Sequence, residues 1–380
     1  MTTSVSGPLT EARLDALADA IAADAAVAGL GESTRAAHET FVVRDQLFRR
    51  LVRRHGFRAL ALQDDAVAGE RLDAYVNGGE GTAVSALHGA WRPWRTAETA
   101  EALRWIRAFN RDHRDDPVRV FGVKLAQAGP ADYDAVLAGV RAAAPHRLAE
   151  LARHLEPIRT AHETDEHVQQ ARGLHPGRPF ADHARDALAV VERLPDTSLL
   201  APMRRIVRFH ERSVAGRDDY AGDARTWGEA ITGHHVSTGR RVAYWDGIAH
   251  TAATPVTLGL AAERGARPTV GSVLRHRHGG AYVSVAIGFH HGDLGGVVVP
   301  PPEPDWIDAR LAVPDSPATW VDLRDDVQRR RWRGPATARV ISGVYTAARD
   351  AAEHLTVASL PDAFDVLVHI GRVSPLHNPT

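Results

Sequence analysis

No cysteine occurs in the 380 residues, which removes disulfides, thiolate nucleophiles, zinc–thiolate centres and iron–sulfur clusters together. Lysine is nearly absent too, Lys124 being the single one, while arginine and alanine abound. That bias reports genome composition more than function. There is no excess of charge: 46 Lys and Arg face 47 Asp and Glu, which argues against a broad basic surface for nucleic acid or anionic lipid. No stretch approaches the roughly 18 apolar residues of a membrane span. Residues 1–17 lack the basic start and apolar run of a signal peptide. The expectation is a cytoplasmic protein that engages neither nucleic acid nor membrane, with its oligomeric state left open. P-loop, GxGxxG, GxSxG and HExxH patterns are missing, so nucleotide cofactors and serine-esterase chemistry have no support, and no cofactor is expected.

What is present is an alternation. Residues 9–24 carry Leu14, Leu17, Ala18 and Ile21 at helical spacing, and VAGLGES then reads as a buried strand with a turn at Gly31-Glu32. A helix over 38–55, the run FRALAL at 57–62, helices near 70–76 and 96–110, and VRVFGVK at 118–124 follow. Three strand–helix alternations predict an α/β fold: a largely parallel-sheet core with helices on both faces. Residues 130–215 lack strands and read as an inserted helical subdomain, a lid or pocket wall, between core segments 1–129 and 216–380. RRVAYWD (240–246) and AYVSVAIGF (281–289) supply further core strands, and TWVDL, ARVISGVY and DVLVHI a smaller β-rich end. In parallel sheets, reactive residues gather past the carboxyl ends of strands, and Glu32, Gln63 and Lys124 all fall there.

Six segments in order resemble the erythromycin esterase family. They are Gly31-Glu32-Ser33-Thr34 with His38-Glu39 and Arg44; GFRALAL; WRPWRTAETAEALRWIRAFN (91–110); RDDYAGDARTW (217–227); VAYWDGIAH (242–250); and DVLVHIGRVSP (365–375). The resemblance implies an α/β core with a helical part over a deep cleft. It also implies hydrolysis of macrolide lactones by water that a histidine activates, assisted by glutamates, an arginine and further histidines. Glu32, Arg44 and His250 match family positions. Others depart: the water-activating histidine falls on Arg35, a strand-end glutamate on Gln63, and an aspartate on Lys124. A histidine and an asparagine fall on Gly247 and Ile248. Arginine cannot serve as a base, because its pKa lies above about 12.

The chemistry therefore needs another base. His38, three residues after Arg35, would share a helical face with it; the bland alternative is a structural role. His250 retains its family position, and Asp246 beside it could replace a lost acid or base. Glu32 is the motif carboxylate, against a purely structural buried acid. Arg35, Arg44, Gln63, Lys124 and His291 are candidates for binding substrate, Arg35 an anionic group in particular. Tyr244 and Trp245 read as strand core. His290-His291-Gly292-Asp293 has metal-like residue types but no second cluster at matching spacing, so no metal site is assigned. His276 and His278, alternating with Arg275 and Arg277, read as an exposed strand or loop, and His234-His235 as a helix end.

The expected activity is hydrolysis of an ester or lactone in a bulky natural product, for antibiotic resistance or biosynthesis. A non-hydrolytic elimination, cyclisation or isomerisation is the rival, and an inactive metabolite-binding protein the third reading.

Overall fold

The computed structural model describes residues 4–6, 9–175, 177–213, 220–314, 316–341, 343 and 345–378. Part of the RDDYAGDARTW segment, residues 217–219, lies outside these. The strands in chain order are β1 Ser4–Ser6, β2 Val27–Glu32, β3 Phe57–Asp65, β4 Arg119–Lys124, β5 Arg241–Gly247 and β6 Thr257–Leu258. They continue with β7 Tyr282–Asp293, β8 Val298–Val299, β9 Ala318–Asp322, β10 Ala336–Arg339, β11 His354–Val357 and β12 Val366–Val373.

Two compact units emerge, Met1–Lys124 with Tyr220–Thr380, and Leu125–Asp219. The first holds a nine-stranded sheet of order β1-β9-β12-β7-β2-β5-β3-β4, with β8 paired to β7. From β12 through β4 neighbouring strands run parallel; β1, β8 and β9 pair antiparallel at the margins. The second unit is helical among its described residues, packed around Tyr133, Leu151, Phe180 and Met203. No helix of the described residues is long and apolar enough to cross a membrane.

Alternation along β5 shows why helices cover both faces. Ala243 and Trp245 join the core under helices Glu11–Ala22 and His38–His55, while Val242 and Tyr244 pack with Trp227, Ile231 and Leu274 on the other side. A strand buried on both faces reads as a continuous apolar run, which is why these strands were visible in the sequence.

Three sequence expectations change. The C-terminal strands do not form a separate end: β9 and β12 extend the main sheet beside β7, and only β10 and β11 pair with β6 in a small second sheet. His276 and His278 lie in helix Val270–His278, not a strand or loop; the capping box of Thr269 and Ser272 starts that helix. His290 and His291 fall inside β7, which runs on to Asp293.

Two glycines set the sheet's central approach. A Cβ on Gly29 would sit 2.3 Å from the Tyr282 hydroxyl, and one on Gly31 would sit 2.0 Å from Thr251 Oγ1 and 3.0 Å from the Ile248 backbone. Their bare backbone lets the short helix Ile248–Thr251, which carries His250, lie directly on β2. Gly31→Ala is expected to destabilise the protein by about 1–3 kcal/mol in chemical denaturation. Adding Thr251→Ala should recover part of that loss, because the nearest clash is with Oγ1; no recovery would place the strain in the backbone instead.

Candidate functional site

Because β2, β5, β3 and β4 are parallel neighbours, their carboxyl ends line one edge of the sheet. Glu32 is in register with Gly247, Leu62 with Trp245, and Asp65 with Lys124. At about 4.8 Å between strands, Glu32, Gly247, Gln63 and Lys124 span only about 15 Å.

At the β2 end lies a buried ion pair. Arg44 Nη1 is 2.8 Å from Glu32 Oε1, with both side chains excluded from solvent. The contact is close without the alignment of a hydrogen bond. Phe41, Trp94 and Trp245 surround the guanidinium, with ring centroids at 4.9, 5.2 and 4.6 Å. Burial pushes the Glu32 carboxyl up and the Arg44 guanidinium down, against the attraction between them.

Next to it, Arg35 donates through Nη2 to both Gln63 Oε1 and Asp246 Oδ1. Asp246 is fully buried and also accepts from the Tyr244 hydroxyl and, at 2.6 Å, from the Gly247 N–H. Burial and the Asp246 charge hold the Tyr244 phenol well above its usual range, so it remains a donor. Arg35 lies 3.5 Å from where a Gly247 side chain would begin. Arg35 and Gly247, two positions where the sequence departs from the pattern it resembles, thus meet in space, the guanidinium running over the bare backbone.

The third group stands on β4. Lys124 Nζ is 4.7 Å from the Trp91 ring and 5.4 Å from Trp227, and Arg35 covers Trp91 from 4.9 Å. His250 lies at a tilt against Trp227, centroids 5.4 Å apart. Burial lowers its pKa, Asp246 raises it, and Arg35 and Lys124 lower it further, so the imidazole is neutral near pH 7. Asp64 accepts from the Trp91 and Asp65 N–H groups at 2.8 Å each. Burial pushes its carboxyl up to about 6, against the opposing pull of Lys124 and these two donors.

Glu32, Arg35, Arg44, Gln63, Lys124, Asp246 and His250 therefore gather at the strand ends. His38 does not join Arg35. It begins helix His38–His55, whereas Arg35 precedes the helix, so they share no helical face; His38 bonds Glu98 instead. His291 faces His290, their Nδ1 atoms 3.0 Å apart, not Arg35. Sequence reasoning passed over Asp64, Trp91 and Trp227, and read Tyr244 as core although its hydroxyl serves Asp246. The run Gln63-Asp64-Asp65 at a strand end was the available signal for Asp64.

The erythromycin esterase family model matches residues 52–373. The chain belongs to the erythromycin esterase family. The matched stretch begins after Glu32, Arg35 and Arg44, the segment where the family histidine is replaced. Similar solved structures include a Bacillus cereus protein (20% identity, 98% of this chain and 94% of that one, TM-score 0.66). A succinoglycan biosynthesis protein aligns at 20% identity over 97% and 93%, TM-score 0.64. A histidine-to-asparagine mutant of the erythromycin esterase EreC, in its open conformation, aligns at 16% over 98% of both chains, TM-score 0.58. At these identities the likeness establishes the fold. No curated protein matches by sequence.

Two outcomes follow from the buried charges. Arg44→Ala strands the Glu32 carboxylate and should cost about 3–5 kcal/mol in denaturant unfolding, whereas Glu32→Gln with Arg44→Met should restore most of it. For Asp64 the folded pKa exceeds the usual 3.8, so its contribution to stability is complete below about 4 and is lost as pH rises through about 6. The stability of the parent relative to Asp64→Asn should accordingly fall by up to about 3 kcal/mol across that window. A flat difference would show that the carboxyl is not raised.

Proposed function

We propose that this protein hydrolyses an ester or lactone in a bulky natural product, with His250 as the base. The observation that carries this reading is the half-buried imidazole of His250 against Trp227, which also has Lys124 beside it, with Arg35 and Lys124 both against Trp91. Membership of an esterase family supplies the reaction class.

Attack by water on an ester carbonyl needs a proton removed from the water and stabilisation of the negative oxygen that develops. His250 takes the proton. Arg35 and Lys124, both against the Trp91 ring, supply positive charge to the oxyanion, and Asp246 with Gln63 holds the Arg35 guanidinium in place. When the intermediate collapses, the carbonyl–alkoxy bond breaks and the imidazolium returns its proton to the leaving alkoxide. Trp91 and Trp227 offer apolar walls to a large substrate. Asp246 is a positioning residue in this scheme: its oxygens are already occupied by Arg35, Tyr244 and the Gly247 N–H. The Glu32–Arg44 pair lies beneath and fixes the strand end.

A second reading is favoured by Arg35 occupying the space over Gly247. With one base and fixed cations, the same residues suit removal of a proton beside a carbonyl, the enolate held by Arg35 and Lys124. Elimination or isomerisation of a biosynthetic intermediate then replaces hydrolysis.

Mass spectrometry after incubation with macrolide lactones and simpler esters separates the two. Hydrolysis adds one water to the product, and His250→Gln should lower kcat by about 10²- to 10⁴-fold with little change in KM. A product of unchanged mass, or one lighter by water, would support the second reading. Full activity in His250→Gln would refute both, and a pure folded protein that turns over nothing would leave a metabolite-binding role.

A further inference from the structure

Away from the strand ends, three residues remote in sequence meet at a solvent-facing rim. His38 opens helix His38–His55, Glu98 lies in the first turn of helix Ala97–Asp112, and His377 belongs to the C-terminal segment. That segment is fixed by its backbone. The Ser374 N–H and hydroxyl donate to Glu39 at 2.6 and 2.7 Å, the His38 N–H donates to the Ser374 carbonyl at 2.8 Å, and Ala97 N–H to that of His377 at 3.0 Å. His377 is therefore held in place although its side chain is 66% exposed.

Its contacts converge on one atom. Glu98 Oε1 lies 2.8 Å from His38 Nδ1, 2.6 Å from His377 Nδ1 and 3.1 Å from the His377 N–H, while Oε2 lies 3.3 Å from that N–H. A carboxylate has about four acceptor positions over two oxygens, yet three nitrogens crowd onto one. As ordinary hydrogen bonds, both rings must carry their proton on Nδ1 and turn the two protons toward each other. A cation among the three atoms removes that crowding: each Nδ1 lone pair faces inward with Oε1, and the ring protons move outward to Nε2.

We propose that His38, Glu98 and His377 bind one divalent transition-metal ion of the zinc class. The three ligand atoms lie within 4.8 Å of one another. Ligands about 2.1 Å from a tetrahedral ion stand about 3.4 Å apart, so the separations from Glu98 Oε1, 2.8 Å to His38 and 2.6 Å to His377, need to open by about 0.6 and about 0.8 Å. Rotation of the exposed His377 ring supplies the larger of the two. Two imidazoles and a carboxylate suit zinc, cobalt or nickel and leave a fourth position for water. The positive ends of the two helices oppose a cation, but only weakly at an exposed rim and against three direct bonds. The bound ion ties the C-terminal segment to both helices. It is independent of the reaction proposed at the strand ends.

Metal-stripped full-length protein titrated with zinc by calorimetry, and with cobalt by visible absorption, tests the site. One equivalent should bind, with cobalt bands of low coordination number, and zinc should raise the melting temperature. His377→Ala, which removes an exposed side chain and keeps the fold checkable by circular dichroism, should weaken binding at least about tenfold and abolish the thermal shift; His38→Ala should do the same. Binding undiminished in His377→Ala, or no tighter in the parent than in a variant carrying both His38→Ala and His377→Ala, would overturn the proposal.

Discussion

The buried pair of Glu32 and Arg44 is the contact on which the strand-end architecture rests. A carboxylate at the end of the central strand β2 has no water to solvate it, and removing such a charge from solvent costs several kcal/mol unless a partner compensates. Arg44 compensates, from the second turn of the helix that follows β2. Its guanidinium is in turn held among Phe41, Trp94 and Trp245, which come from that helix, from the Trp91–Thr96 turn and from β5. One ion pair thereby fixes four parts of the chain relative to each other. Replacing it with apolar residues of similar volume need not cost much stability. What the pair supplies is a single position for the β2 end, against which Arg35 and Gly247 are set.

The Arg35 arrangement explains how the family site tolerates such unusual substitutions together. A guanidinium in the place of a histidine needs more room and a countercharge. Gly247 gives the room, since no side chain occupies the space that Nη1 and Nη2 approach. Asp246 gives the charge, and Gln63 accepts where an ionised glutamate would have added a second negative charge. Arg35 alone would have met a histidine; Gly247 alone would have left a gap over buried backbone. The changes make physical sense only as a set.

Much of this was legible in the sequence, because buried parallel strands announce themselves as apolar runs and their carboxyl ends locate the site. Glu32, Gln63 and Lys124 were found that way, and the family membership rests on segments readable in order. What stayed hidden depended on contacts between distant segments. His38 looked like a neighbour of Arg35 at helical spacing, but the helix begins only at His38, and its partners, Glu98 and His377, lie far along the chain. Tyr244 alternates as a core residue should; only the register of β5 shows its hydroxyl reaching two residues on to Asp246. Asp64 sat between two polar neighbours, with nothing to distinguish a buried carboxyl from a helix cap such as Asp65.

The charges at the strand ends also bear on why the proposed reaction would need no histidine at position 35. Arg35, Arg44 and Lys124 stand among the carboxyls of Glu32, Asp246 and Asp64, and Asp223 also acts on His250. Burial raises the Asp64 carboxyl, as it does that of Glu32, and brings Asp64 to about 6. Once it binds a proton, its negative charge no longer acts on Lys124. Negative charge developing on a substrate oxygen would then meet Lys124 with one fewer carboxylate acting on it. With Asp64 ionised, the same oxygen competes with a carboxylate for Lys124. In the proposed mechanism the base and the stabilising charge thus come from different groups, His250 for the proton and Arg35 with Lys124 for the oxyanion. The family's imidazole at position 35 could be given up without losing either task.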